Sequence, residues 1–392
     1  MVGDQGPTEG NPFEGIPFLN DLAKMFQSSG AVSWDTSRQF AIQIATGGQS
    51  EDNPDPVERI RLEELARVAD LHVSSVTGLA TSTAGRVVQL VPVTRATWAT
   101  RTIDAWRPLL ERLSQSLTSA PPTPDTADDP VTQLLQGFST AFGPLLFGMQ
   151  AGGMVGHLAA RAFGQYDLPI PRPASDELVV VSSNLNEFGT AWDLPPDDLR
   201  LWLCVSELAT HAVLGVPHVR ARFDSLLLEY AGGFRVDATA LEERLGDVDP
   251  MDPSALQAAL GDPAVLLGAI QSPEQRILLP RLEALLAAIV GYVDWVVDSV
   301  GQQLISSYDM LTEALRRRRA TAGDADRFVE HLLGVELGQQ QYERGDAFIA
   351  GIIERAGTDG LVRLWQTERE LPTPAEIDAP GLWLARIDLP TD

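Results

Sequence analysis

The stretch that most restricts the fold is Pro196 to Gly215, "PDDLRLWLCVSELATHAVLG", which after Arg200 carries a single charged residue, Glu207. A helix that is apolar around most of its circumference has no face to give to water and belongs in a core. Its limits are legible. Pro195 and Pro196 suit the first helical position, Asp197 and Asp198 complement the positive end of the helix dipole, and Gly215 is a stop. Within it Leu199, Leu203, Ser206, Thr210 and Val213 share a stripe, so Ser206 and Thr210 are expected to point inward, each hydroxyl bonding the carbonyl four residues back. Glu207 is expected to pair with an arginine or to bond locally, because an unpaired buried carboxylate costs several kcal/mol or takes up a proton.

The surrounding pattern predicts a mostly α-helical fold with at most a few short strands. Ser33 to Gly48 reads as a helix capped by Ser33 and stopped by Gly47, and a longer one follows Pro54 and Pro56. "RVVQLVPVTRATW" suggests a short strand before a helix from about Ala96 to Leu117, and "DELVVVSSN" a second strand. Phe138 to Ala160 is uncharged and just long enough to span a bilayer; its Gly148, Gly152, Gly156 series suits close helix packing, and a buried helix without membrane insertion is expected. In "QSPEQ", Ser272 and Gln275 form a capping-box pattern, opening a helix that Pro280 should kink or restart. The chain divides into a disordered leader (1–12), an N-terminal helical region (13–120), a linker (121–130) rich in Pro, Asp and Thr, and a helical core (131–392).

Charge and cysteine usage exclude several functions. Twenty-nine basic against 54 acidic residues give a formal charge of −25, so nucleic acid and anionic membrane are repelled. Cys204 is the only cysteine, which rules out an internal disulfide and a Cys-rich metal site. With no basic, apolar leader at its start, the chain is expected in the cytoplasm. "RRRR" at 316–319 reads as the cationic end of a helix rather than a phosphate patch, and Trp34, Trp98, Trp202, Trp295, Trp365 and Trp383 read as core anchors. No phosphate-cradling Gly loop, Gly-x-Ser-x-Gly elbow or Cys-His pairing supports another enzyme class.

A thermolysin-like zinc helix needs His-Glu-x-x-His, two imidazoles one turn apart with a glutamate behind the first to deprotonate bound water. Here the order is Ser206, Glu207, Leu208, Ala209, Thr210, His211. Together with "NPFEGIPFLNDLAKMF", "VSWDTSRQFAIQIATGG", "GHLAARAFGQYDLPIP", "LLAAIVGYVDWVVDSV", "LGVELGQQQYERGDAFIAGIIERAG" and "LPTPAEIDAPGLWLARI", this helix resembles the bacterial zincin-like zinc-dependent metalloproteases, some of which are classed as hydrolases associated with deazaflavin-coenzyme biosynthesis.

The resemblance implies a mostly helical zincin-like fold and, in relatives, a bound zinc with a third ligand from a Glu-Gly pair on a later helix. Position by position, the zinc histidines fall on Ser206 and Thr210, the general base on Glu207, and the third ligand on Val290, just before Gly291. Neutral hydroxyls are poor zinc ligands and an alkyl group is none, so no cofactor is expected.

Three functions follow as alternatives. One is a metallopeptidase-family protein with a degenerate zinc site that acts by binding a protein or small-molecule partner. Another is an active metal-dependent hydrolase with an unusual site built from Glu207, His211 and Asp294, the last lying one turn beyond Val290. The third is a structural or assembly component. In the plainest reading His211 is structural.

Overall fold

The computed structural model describes residues 32–82, 85–118, 130–236, 269–270, 272–321 and 323–389. The leader at 1–12 and the linker up to residue 129 lie outside them. The fold is mostly α, as the helical periodicities predict.

Helix α1 (Trp34–Thr46) ends at Gly47, whose φ of +60° is left-handed, while the Ser33 hydroxyl engages the Thr36 hydroxyl at 2.9 Å instead of capping a backbone N–H. Helix α2 (Pro56–Thr77) starts under Asp55, whose carboxylate accepts the Val57 N–H. After β1 (Gln89–Val93) come α3 (Arg95–Thr118) and α4 (Pro130–Ala159). The three glycines of α4 meet α1 at close range. A Cβ on Gly148 would stand 2.7 Å from the Ser33 carbonyl oxygen, one on Gly152 2.4 Å from that of Ser37, and one on Gly156 2.7 Å from Ile44 Cβ. The small-residue series is therefore a notch for a neighbouring helix.

Strand β2 (Glu177–Val181) pairs in parallel with β1, Gln89 opposite Glu177 and Val93 opposite Val181. Helix α5 (Ser182–Ala191) leads to α6 (Pro196–Gly215), and α7 (Pro217–Gly232) turns away from α6 by 87° at the Val216-Pro217 break. A short antiparallel pairing of β3 (Arg235–Val236) with β4 (Ala269–Ile270) departs from the all-helical expectation for this half of the chain. Helix α8 (Pro273–Leu304) opens on the predicted capping box between Ser272 and Gln275. It runs on through Pro280 without restarting, since an exposed proline near the N-terminal end removes one bond to Arg276 and leaves the long buried remainder intact. Then follow α9 (Tyr308–Ala320), α10 (Asp324–Leu333), α11 (Gln339–Ala356) and three short helices, α12 (Asp359–Arg363), α13 (Pro374–Ile377) and α14 (Pro380–Ile387).

The core centres on α6 and α8. Helix α6 packs against α2 and α8, while α8 also packs against α7 and α11. Most residues of α6 from Leu203 to Leu214 are buried, as its composition requires, and Ser206 is the half-buried exception. At the α8–α11 crossing a Cβ on Gly291 would lie 2.3 Å from the Gly345 carbonyl carbon, so the two backbones touch. Helix α8 is long and apolar enough to cross a membrane, yet 78% of its most apolar window is buried within the protein. At the charged end of α6, Arg200 grips Glu58 of α2 with two 2.8 Å bonds, tying α6 to α2. Trp98, Trp365 and Trp383 are buried anchors; Trp34, Trp202 and Trp295 pack against the core from partly exposed positions.

Candidate functional site around Glu207

Glu207 projects from α6 into the protein and is 3% exposed. Its carboxylate is held by backbone amides from the loop after α4. Gln165 N–H donates to Oε2 at 2.9 Å, and Tyr166 N–H lies 3.1 and 3.2 Å from Oε1 and Oε2. These donors come from 42 and 41 positions earlier, so the partner is neither an arginine nor a sequence neighbour. The approach is so close that a Cβ on Gly164 would stand 2.2 Å from Oε1, which makes glycine a steric requirement here. Burial pushes the Glu207 carboxyl up to about 8; the Tyr166 and Gln165 amides pull it down, and Asp167 adds to the rise.

The loop is pinned on every side. Asn184 Nδ2 donates to the carbonyls of Ala159 and Ala162, Val181 N–H to that of Phe163, and Trp98 Nε1 to that of Gly164. Asp167 Oδ1 accepts the Phe163 N–H at 2.9 Å, and its other oxygen accepts from Arg318 at 2.8 Å. Arg318 also lies over the Phe163 ring with Cζ 3.8 Å from the centroid. The arginine run thus does more than close α9, although Arg316 and Arg317 pair with Glu313 in the expected manner.

One turn beyond Glu207, His211 Nδ1 lies 2.9 Å from the Tyr166 hydroxyl, and its buried Nε2 has no hydrogen-bond partner among the described residues. Burial holds this imidazole below its ordinary value, and the same cause pushes the Tyr166 phenol up to about 12. The pair can hold or pass a proton between two neutral groups, while Glu207 is closed off from water by the loop.

The other predicted site residues fall as follows. Thr210 is buried and donates its hydroxyl to the Ser206 carbonyl at 2.9 Å, the expected bond to the preceding turn. Val290 lies on α8, which packs against α6, and is 7% exposed. Asp294 is held by Arg319 through two 2.8 Å bonds. Among the described residues no three His, Cys, Asp or Glu side chains gather where they could hold a metal ion, so Glu207, His211 and Asp294 do not form the alternative ligand set. The reason is plain for two of them: the loop amides take Glu207, and a guanidinium takes Asp294.

Sequence reasoning assigned no role to Gly164, Gln165, Tyr166 or Asn184, all lying in or against the loop block "GHLAARAFGQYDLPIP". Backbone N–H donors leave no trace in residue identity. The only available signal was a glycine next to polar residues just past a long helix.

The fold matches the crystal structure of a protein from Chloroflexus aurantiacus, suggested to be a hydrolase with a novel fold, with a TM-score of 0.64. The match covers 92% of this chain and 100% of that one at 23% identity, a level that speaks for the fold alone. No curated relative matches the sequence. The model of the zincin-like metallopeptidase family matches residues 32–384, nearly the whole described chain, and the protein belongs to that family.

Proposed function

We propose that this protein is a zincin-like metallopeptidase-family member with a degenerate metal site, acting by binding a partner or ligand rather than by hydrolysis. The observation that carries the reading is the state of Glu207. A general base must present its carboxylate to a water molecule, and this one presents both oxygens to backbone amides.

Zinc does not fit the residues at the inherited ligand positions. The Thr210 hydroxyl is committed to the Ser206 carbonyl, Ser206 offers a neutral hydroxyl, and Val290 has no lone pair. Zinc sites draw on the order of 10 kcal/mol from imidazole and thiolate ligands, so three such replacements leave no useful affinity.

The test is metal content after purification without chelator, joined to a restoration variant. The wild-type chain is expected to carry far less than one zinc per molecule, and the combined Ser206→His, Thr210→His, Val290→Glu variant to gain zinc binding. One tightly held metal per wild-type chain, lost in Glu207→Ala or His211→Ala, overturns the reading.

A further inference from the structure

A cleft of about 260 Å³ opens between α3, α7 and the segment 170–173. Its walls are largely apolar, with Leu109, Ile170, Pro171 and Leu227 among them, and its polar side chains are Trp106, Arg172, Arg220 and Asp224. Arg172 is 6% exposed and lies near two indoles, with Cζ 5.3 Å from the Trp98 ring centroid and 5.7 Å from that of Trp106. Of its five N–H donors, one on Nη2 reaches the Thr102 hydroxyl at 2.9 Å. Its Nε is buried without an acceptor, and so is the Nε1 of Trp106. No carboxylate pairs with Arg172 among the described residues, whereas most other arginines of this strongly acidic chain have one, Arg38, Arg59, Arg95, Arg200, Arg319 and Arg386 among them. Glu207 acts on this guanidinium electrostatically without an ion-pair contact, so the buried cation keeps hydrogen-bond donors unfilled.

Arg220 brings a second cation to the same cleft. Its guanidinium donates to the Arg172 backbone carbonyl, which ties its head to the 170–173 segment, and it leans on Asp224 at 3.8 Å with its side chain 28% exposed. The lining of the cleft therefore includes two arginines, an indole whose N–H has no partner among the described residues, apolar side chains and a single carboxylate.

We propose that this cleft binds a small organic carboxylate with an apolar body, its carboxylate held by Arg172 and Arg220 and its body lying against Leu109, Ile170 and Leu227. Planar guanidinium groups match a planar carboxylate. A cleft of this volume takes a molecule smaller than most drug-sized ligands. Asp224 and the net charge of −25 favour a singly charged guest over a phosphate. The inference concerns a different place from the inherited metal positions and holds whether or not zinc is ever bound.

The test is calorimetric titration of the full chain with acetate, hexanoate, benzoate and phenylacetate, with phenylacetamide and inorganic phosphate as controls. At least one of the larger carboxylates is expected to bind once per chain, and both acetate and the amide at least tenfold more weakly. Asp224→Asn should tighten carboxylate binding several-fold, and Arg220→Gln should weaken it about tenfold; opposite signs from two adjacent residues of α7 distinguish recognition from a packing effect. The folded state of each variant is checked by circular dichroism, and Arg172→Lys, which keeps the charge but loses the fork, gives a second route to the same loss. No saturable binding by any of the four carboxylates overturns the proposal, as does equal binding of the amide, tighter binding of phosphate, or weaker binding in Asp224→Asn. Failure here leaves the metal assay unaffected, and a zinc-loaded wild type leaves this assay unaffected.

Discussion

Two buried ionisable groups, Glu207 and Arg172, are treated in opposite ways. Glu207 lies in a closed cradle. Two amides meet its oxygens, a glycine makes room for it, and Asn184, Trp98, Asp167 and Arg318 hold the cradle rigid. Arg172, close to two indoles, has one acceptor among the described residues and lines a cleft. The contrast teaches that burial alone does not mark a working group. A charge whose bonds are all made inside the protein is structure, and one with donors left over beside an opening is available to a guest.

The largest effect that separates the two is on pH dependence. Glu207 has an ordinary value of 4.5 and a folded value near 8, so the folded chain holds a proton that the unfolded chain has lost between these two values. The favourable contribution is complete below about 4.5 and disappears as the pH rises through 8, at about 1.4 kcal/mol for each pH unit between them. Urea unfolding from pH 5 to 8 should therefore show stability falling more steeply in the wild type than in Glu207→Gln. Parallel curves would mean that the cradle keeps the carboxylate ionised and that the contrast with Arg172 is sharper still.

Next in size is Gly164→Ala. The new methyl has no room beside Glu207 Oε1, and a loss of about 3 kcal/mol is expected from overpacking against a pinned loop. In a Glu207→Ala background the same change should cost much less, and a double-mutant cycle reads the difference. Additive losses would show that the loop can shift, and the closed cradle would not be one.

A more direct comparison removes each charge in turn. Glu207→Ala strands two buried amides and should cost about 2 kcal/mol. Arg172→Met removes a buried charge that makes no ion pair while keeping bulk near the indoles, so a change of less than about 1 kcal/mol, in either direction, is expected. If chemical denaturation ranks them the other way, Arg172 is the structural group of the two. The smallest effect belongs to Thr210→Val, which deletes a hydroxyl bonded only to its own helix and should move stability by about 0.5 kcal/mol or less.

Much of the helical frame was legible because its signals are local. Gly47 and Gly215 end their helices, Ser272 and Gln275 form their box, and β1 and β2 lie inside the predicted β-branched runs, whereas the short β3–β4 pairing does not. Pro280 shows where a local rule yields: a break expected from ring geometry is overridden by the burial of the helix beyond it. The site was less legible. Glu207 stood out as the one charge in an apolar helix, and Thr210 made its expected bond, but the identity of the partner did not follow. The partner is the main chain of residues 165 and 166, which any side chains could accompany. Likewise Glu207, His211 and Asp294 carry ligand-type groups, but Asp294 is held by Arg319 from α9, a contact that spacing along the chain does not record.

What this sequence determined by itself is the helical class, the burial of the 196–215 segment, the substitutions at Ser206, Thr210 and Val290, and a resemblance that the family match bears out. Periodicity, caps and residue chemistry are properties of neighbours in the chain, so they can be read along it. What only the tertiary structure decided is which buried charges are satisfied. That depends on backbone groups and side chains brought together from far along the chain, such as Gln165 beneath Glu207 and Trp98 beside Arg172, and no spacing in the sequence records those distances.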